Sequence, residues 1–272
     1  MTAAIGQPVD AGVVGLAMTT STAVVGVGVG PVGPGPGAGG PAGVVSREIA
    51  TDRRHAEELT PIVATVLAEA GVTPDQIEVL VVDSGPGRFT GLRVGLATAK
   101  GLAVALRVPV VVLTSLEILA GGEPDRPVVA VVDARRRVGY QPRFDDGSGV
   151  DADDRVAAGA RVGLPADRAP AARGVPVVGD GADRYADLYG GSNGATVRTG
   201  RSPSPAVMLR LAAGRVARAG AEVLPQYLRQ PDVTINIRTR PADLGSGSPP
   251  VASSPVARPA EVAPDEERNG GA

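Results

Sequence analysis

Residues 77–113 carry the pattern that most restricts the fold of this chain: an apolar strand, a tight loop, a long helix and a second apolar strand. The strands are predicted over residues 77–82 and 108–113, and the helix between them over 91–106. Such a βαβ unit places its strands parallel in one sheet, with a right-handed crossover. Parallel strands are typical of proteins in which helices cover the faces of the sheet. The predicted fold class is therefore α/β.

The loop of this unit and the first turn of its helix read Ser-Gly-Pro-Gly-Arg-Phe-Thr-Gly-Leu-Arg, at residues 84–93. Gly85 and Gly87 supply the backbone freedom of a tight turn, and Pro86 fixes one φ angle. Thr90 is predicted as the N-cap of the helix. The first amides of a helix can receive an anion or a carboxylate of a partner. Because Pro86 has no N–H, however, the loop is a poor cradle for phosphate.

The remaining chain alternates predicted strands and helices, which favours an α/β protein with a mixed sheet. Further strands are predicted over 13–18, 23–29, 44–50, 128–132, 138–144 and 175–178, and helices over 53–70, 115–120, 179–188 and 204–219. The predicted organisation is a flexible N-terminus (1–12), a first lobe (13–122), a smaller second lobe (123–239) and a disordered tail (240–272). A long Gly/Pro tract at residues 30–43 is expected to form an extended turn.

Composition removes several kinds of chemistry. The 272 residues include no cysteine and a single histidine, His55, so thiolate chemistry and two-histidine metal ligation within one chain are excluded. His55 is expected to be solvated or to lie in an interface. The net charge of −2 shows no basic excess, which argues against binding of nucleic acid by this chain alone.

No membrane segment is predicted. Residues 1–10 lack the basic start and apolar run of a secretory signal. The apolar region 92–113 contains Arg93, Lys100 and Arg107, each of which would cost roughly 2.5–3.5 kcal/mol near the centre of a bilayer. The protein is expected to be cytoplasmic.

Two glycine patterns invite functional interpretations. Residues 28–33 match the dinucleotide fingerprint, but Pro-Gly-Pro-Gly follows in place of the helix that the fingerprint requires. Gly91, Gly95 and Ala99 form a stripe of small residues on the predicted helix, which permits close approach of another element. That element is either part of this chain or a second subunit.

The chain resembles the TsaB (YeaZ) family. The resemblance is carried by the run at 84–93 and by four further motifs: Leu-Ala-Thr-Ala-Lys-Gly-Leu-Ala at 96–103, Thr-Ser-Leu-Glu at 114–117, Val-Asp-Ala-Arg-Arg at 132–136 and Pro-Gln-Tyr-Leu-Arg-Gln-Pro-Asp at 225–232. It implies a two-lobed fold of the actin/Hsp70/sugar-kinase type with mixed sheets.

The function that this resemblance implies is that of a non-catalytic partner of TsaD. TsaD is a metal-dependent subunit that transfers threonylcarbamoyl from an AMP adduct to adenosine 37 of tRNAs reading codons that begin with A. The ATPase TsaE is expected in the same assembly, and tRNA would be contacted only through the complex. No cofactor is expected on this chain alone, whereas ATP and a divalent metal are expected in the partner complex.

Pairing in this family uses the first two long helices, here 53–70 and 91–106. The implied interface residues are His55, Leu59, Ile62, Gly91, Leu92, Gly95 and Ala99. The same face could form a homodimer when the partner is absent, and Gly95→Arg is expected to abolish partner binding without harming the fold. A boundary with a nucleotide or a partner is predicted at the loop residues Ser84, Gly85, Gly87, Arg88, Thr90 and Arg93.

Two departures from related proteins weigh on catalysis. Thr19 stands where family members usually have an aspartate in the first phosphate loop, and a hydroxyl lacks the charge that holds Mg²⁺ and phosphate. Ser115 and Leu119 stand where TsaD relatives carry two metal-binding histidines. Neither a catalytic residue nor a metal ligand is therefore predicted. The alternatives are an ATP-dependent small-molecule kinase of the same superfamily and a glycoprotease-like peptidase.

Overall fold

The computed structural model describes residues 3–34, 43–51, 54–124, 127–133, 138–144, 161–191 and 194–227. The predicted disordered tail (240–272) lies outside these residues, as does most of the Gly/Pro tract. The described residues form two five-stranded sheets of identical strand arrangement.

The first sheet has the order β3-β2-β1-β4-β5. Its strands are β1 (Val14–Thr19), β2 (Val24–Pro31), β3 (Val45–Ala50), β4 (Val79–Asp83) and β5 (Val110–Leu113). The first three strands form an antiparallel meander, and β4 and β5 extend the sheet in parallel beside β1. The parallel strands are almost fully apolar because helices cover both of their faces.

The second sheet repeats this order as β8-β7-β6-β9-β10. Its strands are β6 (Val128–Asp133), β7 (Val138–Phe144), β8 (Arg161–Gly163), β9 (Val177–Val178) and β10 (Val197–Arg198). Again an antiparallel meander is followed by two parallel strands. This duplicated topology is the two-lobed α/β architecture with mixed sheets that the sequence predicts.

In the part of the chain that the structure describes, three helices precede the second sheet and four follow its first three strands. They are α1 (His55–Ala70), α2 (Phe89–Leu106), α3 (Ser115–Gly121), α4 (Pro165–Arg168), α5 (Asp180–Arg184), α6 (Ala186–Gly190) and α7 (Pro205–Ala212). One-turn 3₁₀ segments lie at Pro74–Gln76, Ala169–Ala172 and Gly220–Glu222. As predicted, Gly71 ends α1 in the left-handed conformation that a glycine adopts without strain.

The core of the first sheet is divided between its two faces. On one face, Leu59 and Val66 of α1 and Leu96 of α2 pack against Leu16 and Leu80 of the strands. On the other face, α7 and α3 cover the sheet with Met208, Leu209 and Ile118. The segment predicted as the second lobe thus contributes α7 to the first sheet, while the division of the chain into domains remains a prediction.

Two helix boundaries differ from the predictions, and the single helix predicted over 179–188 is present as two short helices, α5 and α6, interrupted at Tyr185. The helix predicted over 204–219 ends at Ala212, because Ala213 is extended, Gly214 has a φ of 74°, and the chain then pairs with residues 7–9 and 110. The helix that includes Thr90 begins one residue before it, at Phe89. Arg88 occupies the N-cap position in an extended conformation, so the prediction of Thr90 as N-cap is wrong.

Among the described helices, α2 is the one long and apolar enough to cross a membrane by length and composition. In the structure it packs against β4, β1 and α1, as the core helix of an α/β sheet does. Its hydropathy is therefore accounted for by its position on the sheet.

Candidate functional site

The loops that follow β1, β4 and β5 meet at one edge of the first sheet. Because these three strands are parallel to one another, their carboxyl ends lie side by side. Functional residues of α/β proteins commonly gather at such an edge. The side chain at its centre is Asp83, the last residue of β4, which is 1% exposed.

Asp83 accepts four hydrogen bonds. The hydroxyls of Thr19 and Ser21 donate to Oδ2 over 2.7 and 2.5 Å. The hydroxyl of Ser115 and the amide of Gly85 donate to Oδ1 over 2.6 and 2.9 Å. One carboxylate thus joins the β1–β2 turn, the β4–α2 loop and the start of α3. Burial raises the pKa of Asp83, while these hydrogen bonds act to lower it.

Sequence reasoning did not single out Asp83, although it recognised the run in which this residue lies. Ser84, the first predicted loop residue, is also buried, and its hydroxyl donates to the carbonyl of Leu113 over 3.1 Å. An acidic residue at the end of a buried strand, followed by a glycine loop, was the signal available in the sequence.

The β4–α2 loop lies directly against the β1–β2 turn. The Arg88 amide donates to the Ser21 carbonyl over 2.6 Å, and a methyl group at Gly87 would overlap the same carbonyl. Gly87 is thus required for close backbone contact, while Gly85 is required for its φ of 99°. The Arg88 amide and the hydroxyls of Thr19 and Ser21 are consequently used inside the protein.

The seven residues predicted for the partner interface are buried within this chain. His55, Leu59 and Ile62 are 1–4% exposed, and Leu92 and Ala99 are no more exposed than 1%. The ring of His55 donates from Nε2 to the Thr22 carbonyl over 2.8 Å, so the expectation of a solvated histidine is wrong.

The small-residue stripe serves internal packing. Methyl groups at Gly91 and Gly95 would overlap the Thr20 carbonyl and the Thr20 hydroxyl, and that hydroxyl donates to the Gly91 carbonyl over 2.8 Å. The element that the stripe admits is therefore the β1–β2 turn of the same chain. These residues do not present side chains to a partner.

A different set of small and apolar residues on the same helices faces outward. It consists of Ala56, Thr60 and Ala64 on α1 and Ala97, Gly101 and Val104 on α2; we call it the outer face. Val104 is 77% exposed, and no atom lies within 4 Å of a methyl group at Gly101. The two helices contact each other and pack on the same face of the sheet, so both rows of residues lie on the side of the protein that these helices cover.

Of the predicted loop residues, Thr90 and Arg93 are exposed. The Arg93 guanidinium lies 3.9 Å from the centre of the Phe89 ring, and its Nε donates to the Tyr227 hydroxyl over 3.1 Å. The sequence analysis included Tyr227 in the motif at 225–232 but gave it no role beside Arg93, because the two residues are 134 positions apart.

Ser115 and Leu119, which by the resemblance stand where TsaD relatives carry metal-binding histidines, are both packed inside this chain. Ser115 is fully buried and bonded to Asp83, while Leu119 is 3% exposed and packs with apolar residues of β6. In the part of the chain that the structure describes, no three His, Cys, Asp or Glu side chains form a group that could hold a metal ion.

The second lobe places two aspartates at the matching edge of its sheet. The Asp133 amide donates to Asp180 Oδ1 over 2.9 Å, and Arg184 pairs with the Asp133 carboxylate at 3.3 Å. Burial, together with the charge of Asp133, raises the pKa of Asp180 from 3.8 to about 6, although Arg88 of the first lobe acts to lower it.

Comparison with known proteins agrees with this architecture. A family model described as TsaD, tRNA N6-adenosine threonylcarbamoyltransferase, matches residues 41–159. An uncharacterized protein of Mycobacterium tuberculosis is 37% identical over 190 residues, which are 70% of this chain and 82% of that protein. The tRNA threonylcarbamoyladenosine biosynthesis protein TsaB of Haemophilus influenzae is 35% identical over 92 residues, 32% of this chain and 39% of TsaB.

Two solved structures from Pseudomonas aeruginosa share the fold. YeaZ has a TM-score of 0.60 and 26% identity, and the match covers 79% of this chain and 99% of YeaZ. A protein described as similar to the peptidase YEAZ has a TM-score of 0.63 and 27% identity, with the same coverage.

The fold and the site thus define a two-lobed α/β protein of the actin/Hsp70/sugar-kinase type. The loops at the carboxyl ends of its first parallel strands are joined by the buried carboxylate of Asp83. Within that class, the chain belongs to the TsaB/YeaZ family.

Proposed function

We propose that this protein acts in tRNA threonylcarbamoyladenosine biosynthesis as a non-catalytic partner of a TsaD-type subunit. Its partner would transfer threonylcarbamoyl to adenosine 37 of tRNAs reading codons that begin with A. Membership of a family whose bacterial relatives are named for this pathway supports the general role. ATP, a divalent metal and a TsaE-type ATPase are assigned to the partner complex, which we expect in the cytoplasm.

The observation that carries the non-catalytic assignment is the packing of α3. The Ser115 hydroxyl donates a hydrogen bond to Asp83, and Leu119 packs in an apolar cluster. Placing metal ligands at these two positions would require both contacts to be broken. We therefore assign the metal-dependent step to the partner.

The closed loops argue against the kinase alternative. A kinase needs free hydrogen-bond donors for the phosphates of ATP, and here the Arg88 amide and the hydroxyls of Thr19 and Ser21 are hydrogen-bonded within the chain. The peptidase alternative lacks a histidine base, because the one histidine of the sequence, His55, is buried with its Nε2 bonded to a backbone carbonyl.

We assign partner docking to the outer face. Exposed small and apolar residues on two adjacent helices allow another helix pair to approach closely and bury apolar area. This surface replaces the buried residues that the sequence suggested, while the helices remain the same. Self-association through the outer face is expected when the partner is absent.

Size exclusion with light scattering tests the proposal on this chain mixed with the TsaD-type subunit of its own organism. We expect a stable complex, and threonylcarbamoylation of tRNA only when both proteins are present. Gly101→Arg should prevent complex formation, whereas Ala166→Arg, which adds the same side chain to exposed α4, should not. ATP turnover by this chain alone, without a complex, would instead support the kinase.

A further inference from the structure

The first turns of α2 carry an arginine whose guanidinium is held in place from two directions. Phe89, one turn earlier on the helix, supports the flat face of Arg93 at 3.9 Å. Tyr227 fixes the Nε edge through a hydrogen bond of 3.1 Å. The two rings also contact each other, with 5.1 Å between their centres. An exposed arginine ordinarily samples many rotamers, so fixing this one removes an entropy cost from any binding event.

The segment that contains Tyr227 is hydrogen-bonded to the β4–α2 loop. The amide of the preceding residue, Gln226, donates to the carbonyl of Ser84 over 2.8 Å. The support of Arg93 is therefore built from two distant parts of the chain. Only 2% of the residues are aromatic, yet two of them meet at this exposed position.

The two terminal nitrogens of Arg93 remain available. Nothing in the described part of the chain forms a hydrogen bond or an ion pair with them, and Arg93 is exposed. With Nε occupied, the two Nη atoms present a fork of N–H donors that matches the two oxygens of a carboxylate or phosphate.

The position of this fork favours a protein carboxylate. Arg93, Ala97, Gly101 and Val104 follow one another along the exposed side of α2, so the fork continues the outer face. RNA sites usually neutralise several phosphates with several cations. This chain carries a net charge of −2, which does not favour RNA. The positive charge of the neighbouring Arg88 already interacts with Asp180, whose pKa it acts to lower.

We propose that Arg93 is a preorganised receptor for an aspartate or glutamate side chain of the protein partner, with Phe89 and Tyr227 as positioning residues. The inference rests on the proposed function, because it takes the TsaD-type subunit to cover α2. It adds a charged contact to a surface that otherwise consists of small and apolar residues and one threonine.

Calorimetric titration of the full chain with the TsaD-type subunit tests this directly. Arg93→Gln should weaken binding by about tenfold or more, as expected for loss of a charge-assisted contact. Arg107→Gln is the matched control, because it removes the same charge from the exposed far end of α2. Arg93→Lys should lose nearly as much affinity as Arg93→Gln, since lysine keeps the charge without the planar fork. Tyr227→Phe should cost several-fold in affinity, because it releases Nε but keeps the ring.

The outcomes separate the two proposals. Unchanged affinity of Arg93→Gln, with normal binding by the wild type, would overturn the receptor and leave the proposed function standing. Equal losses in Arg93→Gln and Arg107→Gln would also overturn it, because general charge would then explain both. Failure of the wild type to bind would overturn both proposals. Loss of tRNA retention by the complex with unchanged partner affinity would assign the fork to RNA phosphate and refute the carboxylate.

Discussion

The hydroxyl of Ser115 donates a hydrogen bond to the carboxylate of Asp83, and 2.6 Å separates the two oxygen atoms. This contact fastens the start of α3 to the end of β4 at a site where both residues are buried. Together with the hydrogen bonds from Thr19 and Ser21, this contact links the β1–β2 turn, the β4–α2 loop and the start of α3 through one carboxylate.

Asp83→Asn should destabilise the protein by about 2–4 kcal/mol, because an amide places N–H donors against hydroxyls and an amide that already donate. Denaturant unfolding followed by circular dichroism measures the change. Asp10→Asn, at an exposed position, serves as the control and should leave the midpoint unchanged. Equal midpoints for the two variants would show that the network contributes little to stability.

Gly95→Ala should destabilise the protein by about 1–3 kcal/mol, because its methyl group overlaps the Thr20 hydroxyl. Gly101→Ala, on the same helix but facing open space, should stabilise it by about 0.5–1 kcal/mol through helix propensity. Thermal unfolding of both variants provides the comparison. Gly95→Arg is accordingly expected to prevent folding, which revises the expectation that it would spare the fold. A soluble Gly95→Arg protein with a native spectrum would contradict this packing.

Glu123→Gln should cost about 2–4 kcal/mol, because Arg198 and Arg201 both pair with this buried carboxylate. Glu69→Gln is the comparison, since its pair with Arg47 is exposed to solvent, and it should have no measurable effect. Urea unfolding of the two variants distinguishes them. Similar midpoints would mean that burial does not strengthen the Glu123 contacts.

The stability of the protein should depend on pH through Asp180. Its pKa is raised by burial from 3.8 to about 6, so the folded state binds the proton more tightly than the unfolded state. The stabilisation that protonated Asp180 provides is complete below about pH 3.8 and is lost as the pH rises through about 6. Asp180→Asn should remove this part of the pH dependence, as measured by unfolding midpoints of both proteins between pH 4 and 7. Parallel pH profiles would refute the assignment to Asp180.

The sequence alone determined the elements that local pattern specifies. Apolar runs defined β4 and β5, the 3–4 spacing of Leu59, Ile62 and Val66 defined α1, and the motif at 84–93 defined the family. These signals are short-range, because the pattern of a few neighbouring residues indicates whether a segment is a strand, a loop or a helix. The end of α7 was not predicted, because pairing of residues 216 and 218 with distant segments overrides the local helical pattern.

Tertiary structure alone decided which residues are buried and which are exposed. The spacing of Gly91, Gly95 and Ala99 showed that something packs closely against α2, but only the fold showed that the β1–β2 turn occupies that place. Asp83 accepts hydrogen bonds from hydroxyls that are up to 64 residues away in the sequence. Arg93 is positioned by a hydrogen bond to Tyr227, which is 134 residues away. Periodicity identifies which residues share a face of a helix. Whether that face meets the interior or the solvent depends on packing between distant segments, and a local sequence pattern holds no information on that packing.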